Sequence, residues 1–182
     1  MAWVDLTAGT TRTTALDLDR AARFLGGRGL GAVLLRDHVA DTGNPYEPEN
    51  PLIFSVGPLT GTPWPAAARS HVTFHAPLTG IYGYANAGGY FGAALRRAGY
   101  DALVAIEPAE HLWGKGTQAT TEVLAQGGAR VACIGPAGEH RVRMAAIIVD
   151  GSRAMARCGG GAVMGSKGLK AVVARGGGKL DL

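Results

Sequence analysis

Leu52-Ile-Phe-Ser-Val56-Gly57-Pro58 is a short apolar run closed by a Gly-Pro stop, and the pattern returns as Arg130-Val-Ala-Cys-Ile134-Gly135-Pro136. Apolar runs of this length, bounded by Gly and Pro, read as buried strands. In both places a loop follows, and then another strand-like stretch: Ser70–His75 after the first, Met144–Val149 after the second. The recurrence points to an internal duplication. Working outward, Trp3–Leu6 and Thr10–Leu16 read as a strand pair across Thr7-Ala-Gly9, and Ala102–Ile106 and Ala171–Ala174 as further strands. Helical spacing appears in a segment capped by Asp17 or Asp19 and running to about Leu25, with Leu18, Ala21, Ala22 and Leu25 on one face. It appears again in Leu30–His38, Tyr90–Ala98, Thr117–Ala125 and Ala162–Lys167. Gly26-Gly-Arg-Gly29 reads as a stop between the first two helices. The expected fold class is α+β, β-rich with mixed or antiparallel sheets, few helices and two similar halves. A dinucleotide-binding fold is disfavoured, because no G-x-G-x-x-G lies between a strand and a helix with an acidic residue about 20 positions on.

Glycine is the compositional outlier, at 29 of 182 residues, and it falls in clusters among aliphatic residues. That excludes a collagen period and a disordered linker, and leaves a folded chain whose backbone turns tightly or passes close to a ligand. Net charge is +4 with no Lys/Arg run, which suits a small anionic ligand and argues against nucleic acid. No apolar run spans a membrane, and Met1-Ala-Trp-Val-Asp lacks the start of a signal peptide, so a cytoplasmic location is expected. Cys133 and Cys158 are isolated, so this chain offers no ordinary iron–sulfur or structural zinc site.

No nucleophile elbow and no acid/base pair is present, so no catalytic residue is assigned. His71 and His75 lie on one side of a predicted strand, without a third ligand nearby. Three glycine, amide or basic patches remain: Ala66-Ala-Ala-Arg69, Asn86-Ala-Gly-Gly89, and Gly151–Lys170 with Arg153, Arg157, Lys167 and Lys170. Exposed backbone N–H groups beside basic side chains suit phosphate. The predicted helix after Gly89 presents its N-terminus directly behind the glycines, a favourable place for an anion. Residue chemistry alone therefore gives an anion-binding protein.

The same residues carry a resemblance. Phe24-Leu-Gly-Gly-Arg-Gly-Leu30, Pro48-Glu-Asn50, Gly57-Pro-Leu-Thr-Gly-Thr62, Asn86-Ala-Gly-Gly-Tyr-Phe-Gly92, Ala98-Gly-Tyr-Asp101, Leu112-Trp-Gly-Lys115, Ile134-Gly-Pro-Ala-Gly-Glu139 and Gly161-Ala-Val-Met-Gly-Ser-Lys167 resemble, in order, the N-terminal domain of tungsten-containing aldehyde:ferredoxin oxidoreductases. The match runs from about Trp3 to Arg175. It implies a pterin-cofactor-binding domain over residues 1–175 and a loose tail over 176–182. It implies a base on which a tungsten (or molybdenum) bis-pyranopterin lies, in an enzyme oxidising aldehydes to carboxylic acids with ferredoxin as acceptor. The cofactor contacts it implies are Arg69; Asn86, Ala87, Gly88 and Gly89; and Arg153, Ala154, Ala156 and Arg157. Backbone carbonyls of Asn86 and Ala154 would hold a magnesium ion between the two pterin phosphates. The 4Fe-4S cluster and the catalytic groups would come from a domain or partner subunit outside this chain, and ferredoxin would be met only indirectly. No nucleic-acid or membrane partner is implied, and apolar surface that later domains cover would otherwise favour self-association. The alternative readings are a non-catalytic binder of pterin or another anion, and a degenerate stand-alone domain. The chain departs from the family in two places. Arg153-Ala-Met-Ala-Arg-Cys-Gly-Gly-Gly161 stands where the family usually has Arg-Ala-Ala-Gly-Arg-Gly-Gly-Val-Gly, and Glu110-His111 replaces roughly a hairpin.

Overall fold

The computed structural model describes residues 1–39, 43–99 and 105–177. Most of the predicted strand Ala102–Ile106 and of the tail lies outside them. Among the described residues nine strands form three antiparallel sheets, accompanied by six α-helices, and the fold is α+β as expected. The hairpin β1 (Ala2–Asp5) and β2 (Thr10–Thr13) stands alone. The second sheet is β3 (Ile53–Val56), β4 (Ser70–His75) and β5 (Tyr82–Ala87), in that order. The third has the order β8-β7-β6-β9, from β6 (Arg130–Cys133), β7 (Ile147–Val149), β8 (Arg153–Met155) and β9 (Ala171–Ala174).

The duplication is written into the strand registers. Superposing Gly57-Pro58 on Gly135-Pro136 brings the row Ser55–His71–Asn86 onto the row Cys133–Ile148–Ala154. Each half then closes with glycines and a helix: α3 (Phe91–Arg97) after β5, and α6 (Gly160–Ser166) after β8. The edge strands β5 and β8 lie against each other. One core serves both halves. Val72, Phe74, Ala85 and Phe91 of the first pack with Ile134, Ile147, Val149, Met155 and Met164 of the second. Full burial of a side chain such as Phe74 or Ile147 contributes about 1.5–3 kcal/mol, which is why the halves form one unit.

Several expectations are corrected. Asp17 does cap α1 (Leu18–Phe24), accepting the Arg20 N–H at 2.9 Å. Yet α1 buries nothing, and Leu18 and Leu25 are exposed. It is held to its neighbour by Arg20, which pairs with Asp37 and donates to the Val33 carbonyl, not by an apolar face. The neighbour, α2 (Gly27–His38), starts three residues earlier than the sequence pattern indicates. Gly27 and Gly31 form its inner face because a Cβ there would meet the His71 ring at 3.3 Å and Thr73 Oγ1 at 2.6 Å. β3 is an edge strand and only half-buried. β5 and β8 are strands that the sequence pattern does not signal, and a short α5 (Pro136–Glu139) follows the second Gly-Pro stop. At the end of the described chain, Gly176 is packed against α3, where a Cβ would come within 2.4 Å of the Ala94 carbonyl oxygen. Among the described residues no helix is long and apolar enough to cross a membrane.

Candidate functional site: a cleft between the two halves

A cleft of about 500 Å³ opens where the ends of β5 and β8 meet. Its walls are Ala66, Ala68 and Arg69 from the loop before β4, Asn86–Gly89 from the end of β5, and Arg153 and Ala154 of β8. Parts of the three patches singled out in the sequence thus converge, whereas Lys167 donates to the Pro48 carbonyl and Lys170 is buried against Glu139, both away from the cleft. Ala156 and Arg157 do not line the cleft, although both are exposed. Among the described residues no group of His, Cys, Asp or Glu side chains is arranged to hold a metal ion.

Each wall has a local cause. The Pro-rich loop is fixed from within. Thr60 Oγ1 accepts the Gly57 N–H at 3.1 Å and donates to the Arg69 carbonyl at 3.0 Å, and the Gly61 N–H donates to the Ala67 carbonyl at 2.7 Å. From α3, Arg96 Nη1 reaches the carbonyls of Gly57, Pro58 and Thr60. Arg69 is thereby delivered to the cleft edge, and its Nη1 donates to Asn86 Oδ1 at 2.7 Å. On the opposite wall Arg153 runs alongside the glycines. A Cβ on Gly88 would lie 3.8 Å from Arg153 Nη1, and one on Gly89 would lie 3.0 Å from Arg153 Cδ. Gly89 also has φ of +98°, so glycine is required there both for conformation and for space.

The N-terminus of α3 is not free for a ligand, contrary to expectation. The Asp150 carboxylate already accepts the N–H groups of Tyr90 and Phe91, at 2.8 and 3.1 Å. Five non-glycine residues among those described have positive φ, and three of them, Ala66, Asp150 and Cys158, lie in or beside the cleft segments. Such backbone strain concentrates at binding sites. Cys158 takes φ of +65°, and its half-buried side chain packs on the core. His71 is the cross-strand neighbour of Asn86. Its enclosed Nδ1 has no hydrogen-bond partner among the described residues, and burial, with help from Arg28 and Arg69, pushes its pKa below the usual imidazole range.

Sequence reasoning missed Asp150 and Arg96. Both act through contacts 36 to 60 residues away in the chain, and such contacts leave no local signal.

A duplicated α+β unit that brings two arginines, an amide and glycine backbone to one cleft has the donor chemistry that suits a phosphorylated ligand. The chain matches the family "Aldehyde ferredoxin oxidoreductase, N-terminal domain" over residues 1–105 and 104–176, and it belongs to that family. It is 42% identical, over 95% of its length, to the tungsten-containing aldehyde ferredoxin oxidoreductase of Pyrococcus furiosus, of which it covers 32%. It is 31% identical to the aliphatic sulfonate oxidoreductase, WOR-like subunit, of the same organism, covering 97% of this chain and 34% of that one. Among solved structures, the active site complex BamBC of benzoyl coenzyme A reductase with 1,5-dienoyl-CoA superposes with a TM-score of 0.93 at 39% identity, over 97% of this chain and 30% of that one. The chain therefore spans about a third of the length of these relatives.

Proposed function

We propose that residues 1–175 are the cofactor-bearing base of a tungsten (or molybdenum) bis-pyranopterin oxidoreductase. The observation that carries this is the convergence of Arg69, Asn86, Ala87, Gly88, Gly89, Arg153 and Ala154 on one cleft. The donor set fits the phosphate end of such a group. Two guanidinium groups supply charge, the glycines allow close backbone approach, and Gly89 sits where a Cβ would close the cradle. Asn86 and Ala154 occupy equivalent positions in the two halves. Their carbonyls would give a magnesium ion one hard oxygen from each side, which suits an ion that keeps most of its water and phosphate ligands. When bound, the metal centre supplies two-electron redox chemistry. The residues of this chain bind and orient the group, and none of them is a candidate proton donor or nucleophile. In this proposal the 4Fe-4S cluster, the acid/base groups and the contact with ferredoxin belong to a further domain or subunit in the cytoplasm.

Aldehyde oxidation to carboxylic acid is the leading activity, because relatives at 40–42% identity are named for aldehydes. A second reading has its own support. At 39% identity the structural neighbour is named as a benzoyl coenzyme A reductase complex, so the same base would serve another substrate.

The experiment is metal and pterin analysis of the complex purified with the domains that complete it. Arg69→Ala and Arg153→Ala are expected to lower tungsten or molybdenum content, and pterin released on oxidation, each by about tenfold, in line with loss of a charge-assisted contact to phosphate. Wild-type metal and pterin content in both variants would sink the proposal. Pterin binding by the isolated chain, without metal in any complex, would favour the non-catalytic binder instead.

A further inference from the structure

We propose that Asp150 is a positioning residue of the cleft, fixing its glycine wall and its arginine wall to each other; this rests on the cleft being the anion site proposed above. Asp150 belongs to the tight turn between β7 and β8, in the second half. Its backbone has φ of +49°, and its N–H donates to the Val131 carbonyl at 2.9 Å. The turn is thus anchored to β6 and strained. From there the carboxylate crosses to the first half. Oδ2 accepts the N–H groups of Tyr90 and Phe91, which follow Gly88-Gly89 directly.

The fit around Gly89 shows how closely the parts are set. A Cβ there would lie 2.9 Å from Asp150 Oδ2 and 3.0 Å from Arg153 Cδ. The glycine backbone is therefore held between the carboxylate and the stem of the arginine. Asp150 and Arg153 are three residues apart on the same hairpin, so one rigid turn carries both. Two consequences follow. The carboxylate satisfies backbone donors at the start of α3. It also fixes where Gly88 and Gly89 stand relative to Arg153, so phosphate donors from the two halves meet an incoming ligand in one arrangement. Preorganised donors bind more tightly than donors that must be gathered.

The test uses the full 182-residue chain and inorganic pyrophosphate as probe, with calorimetric titration and amide hydrogen exchange. Asp150→Ala is expected to lose protection at the Tyr90 and Phe91 amides and to weaken pyrophosphate by about tenfold. Asp150→Asn, whose amide oxygen still accepts, should recover most of the affinity. Asp17→Ala removes the cap of α1, which has no residue in the cleft, and should leave the affinity as it is. If Asp150→Ala does not fold, Asp150→Glu keeps the charge but adds a methylene, and should also bind more weakly. Wild-type affinity in Asp150→Ala or Asp150→Glu, while Arg69→Ala binds weakly, overturns the positioning role and leaves the cleft reading standing. Wild-type affinity in Arg69→Ala as well, or no binding by the wild type, overturns the cleft reading and this proposal with it.

Discussion

Glu139→Ala is expected to lower the free energy of unfolding by about 3–5 kcal/mol, a large share of the 5–15 kcal/mol typical of a domain. Glu139 of α5 and Lys170, just before β9, form an ion pair whose side chains are 3% and 0% exposed. The carboxylate oxygens also accept the Gly114 N–H, at 3.1 and 3.0 Å, and Lys170 Nζ donates to the Lys115 carbonyl at 2.7 Å. Removing Glu139 leaves a buried ammonium group with one carbonyl for company, and frees the Gly114 N–H. The penalty comes from the stranded charge, so the double variant Glu139→Leu/Lys170→Met should recover most of the loss. Denaturant titration of the three proteins gives the comparison. An unfolding midpoint in Glu139→Ala equal to the wild type would show that the pair holds nothing together.

Gly165→Ala is expected to cost at least about 3 kcal/mol, at the upper end for overpacking, since backbone must move. A Cβ at Gly165 of α6 would stand 1.9 Å from the carbonyl oxygen of Gly138 and 2.7 Å from its carbon. These two helices touch through glycine, and backbone cannot rotate aside as a side chain can. Gly116→Ala is the control. Nothing lies within 4 Å of a Cβ there, and its φ is −63°, so a change within about 1 kcal/mol is expected. Equal losses in the two variants would remove the close-contact argument.

These two sites explain what the sequence made legible and what it did not. Leu112-Trp-Gly-Lys115, Ile134–Glu139 and Gly161–Lys167 are among the most recognisable stretches of the chain, yet none of them lines the cleft. They are distinctive because a buried ion pair and a glycine-to-glycine helix contact tolerate few residues. The strands β3 and β6 were readable because apolar runs ended at Gly-Pro. β5 and β8 were not, because Ala85-Asn-Ala87 and Arg153-Ala-Met155 have little intrinsic strand preference. Pairing with β4 and β7 makes them strands. The start of α2 was missed for a related reason: glycines that look like a stop in isolation are required where the helix rests on His71 and Thr73. The cleft itself was legible as three separate patches. That they form one surface, and that Ala156 and Arg157 stand outside it, depends on how β8 meets β5.

The matching registers bear on the history of the fold. Each half supplies one edge strand, so a single half has only one wall of a cleft. Two identical copies, related by a true twofold axis, would build both walls, as a symmetric homodimer does. Joining the copies in one polypeptide would release each from copying the other. The present differences have that form. Arg69 corresponds to Ala146 of the other half, and Asn86 to Ala154. One chain built from two such halves can present different side chains on the two walls of its cleft, which two identical copies cannot.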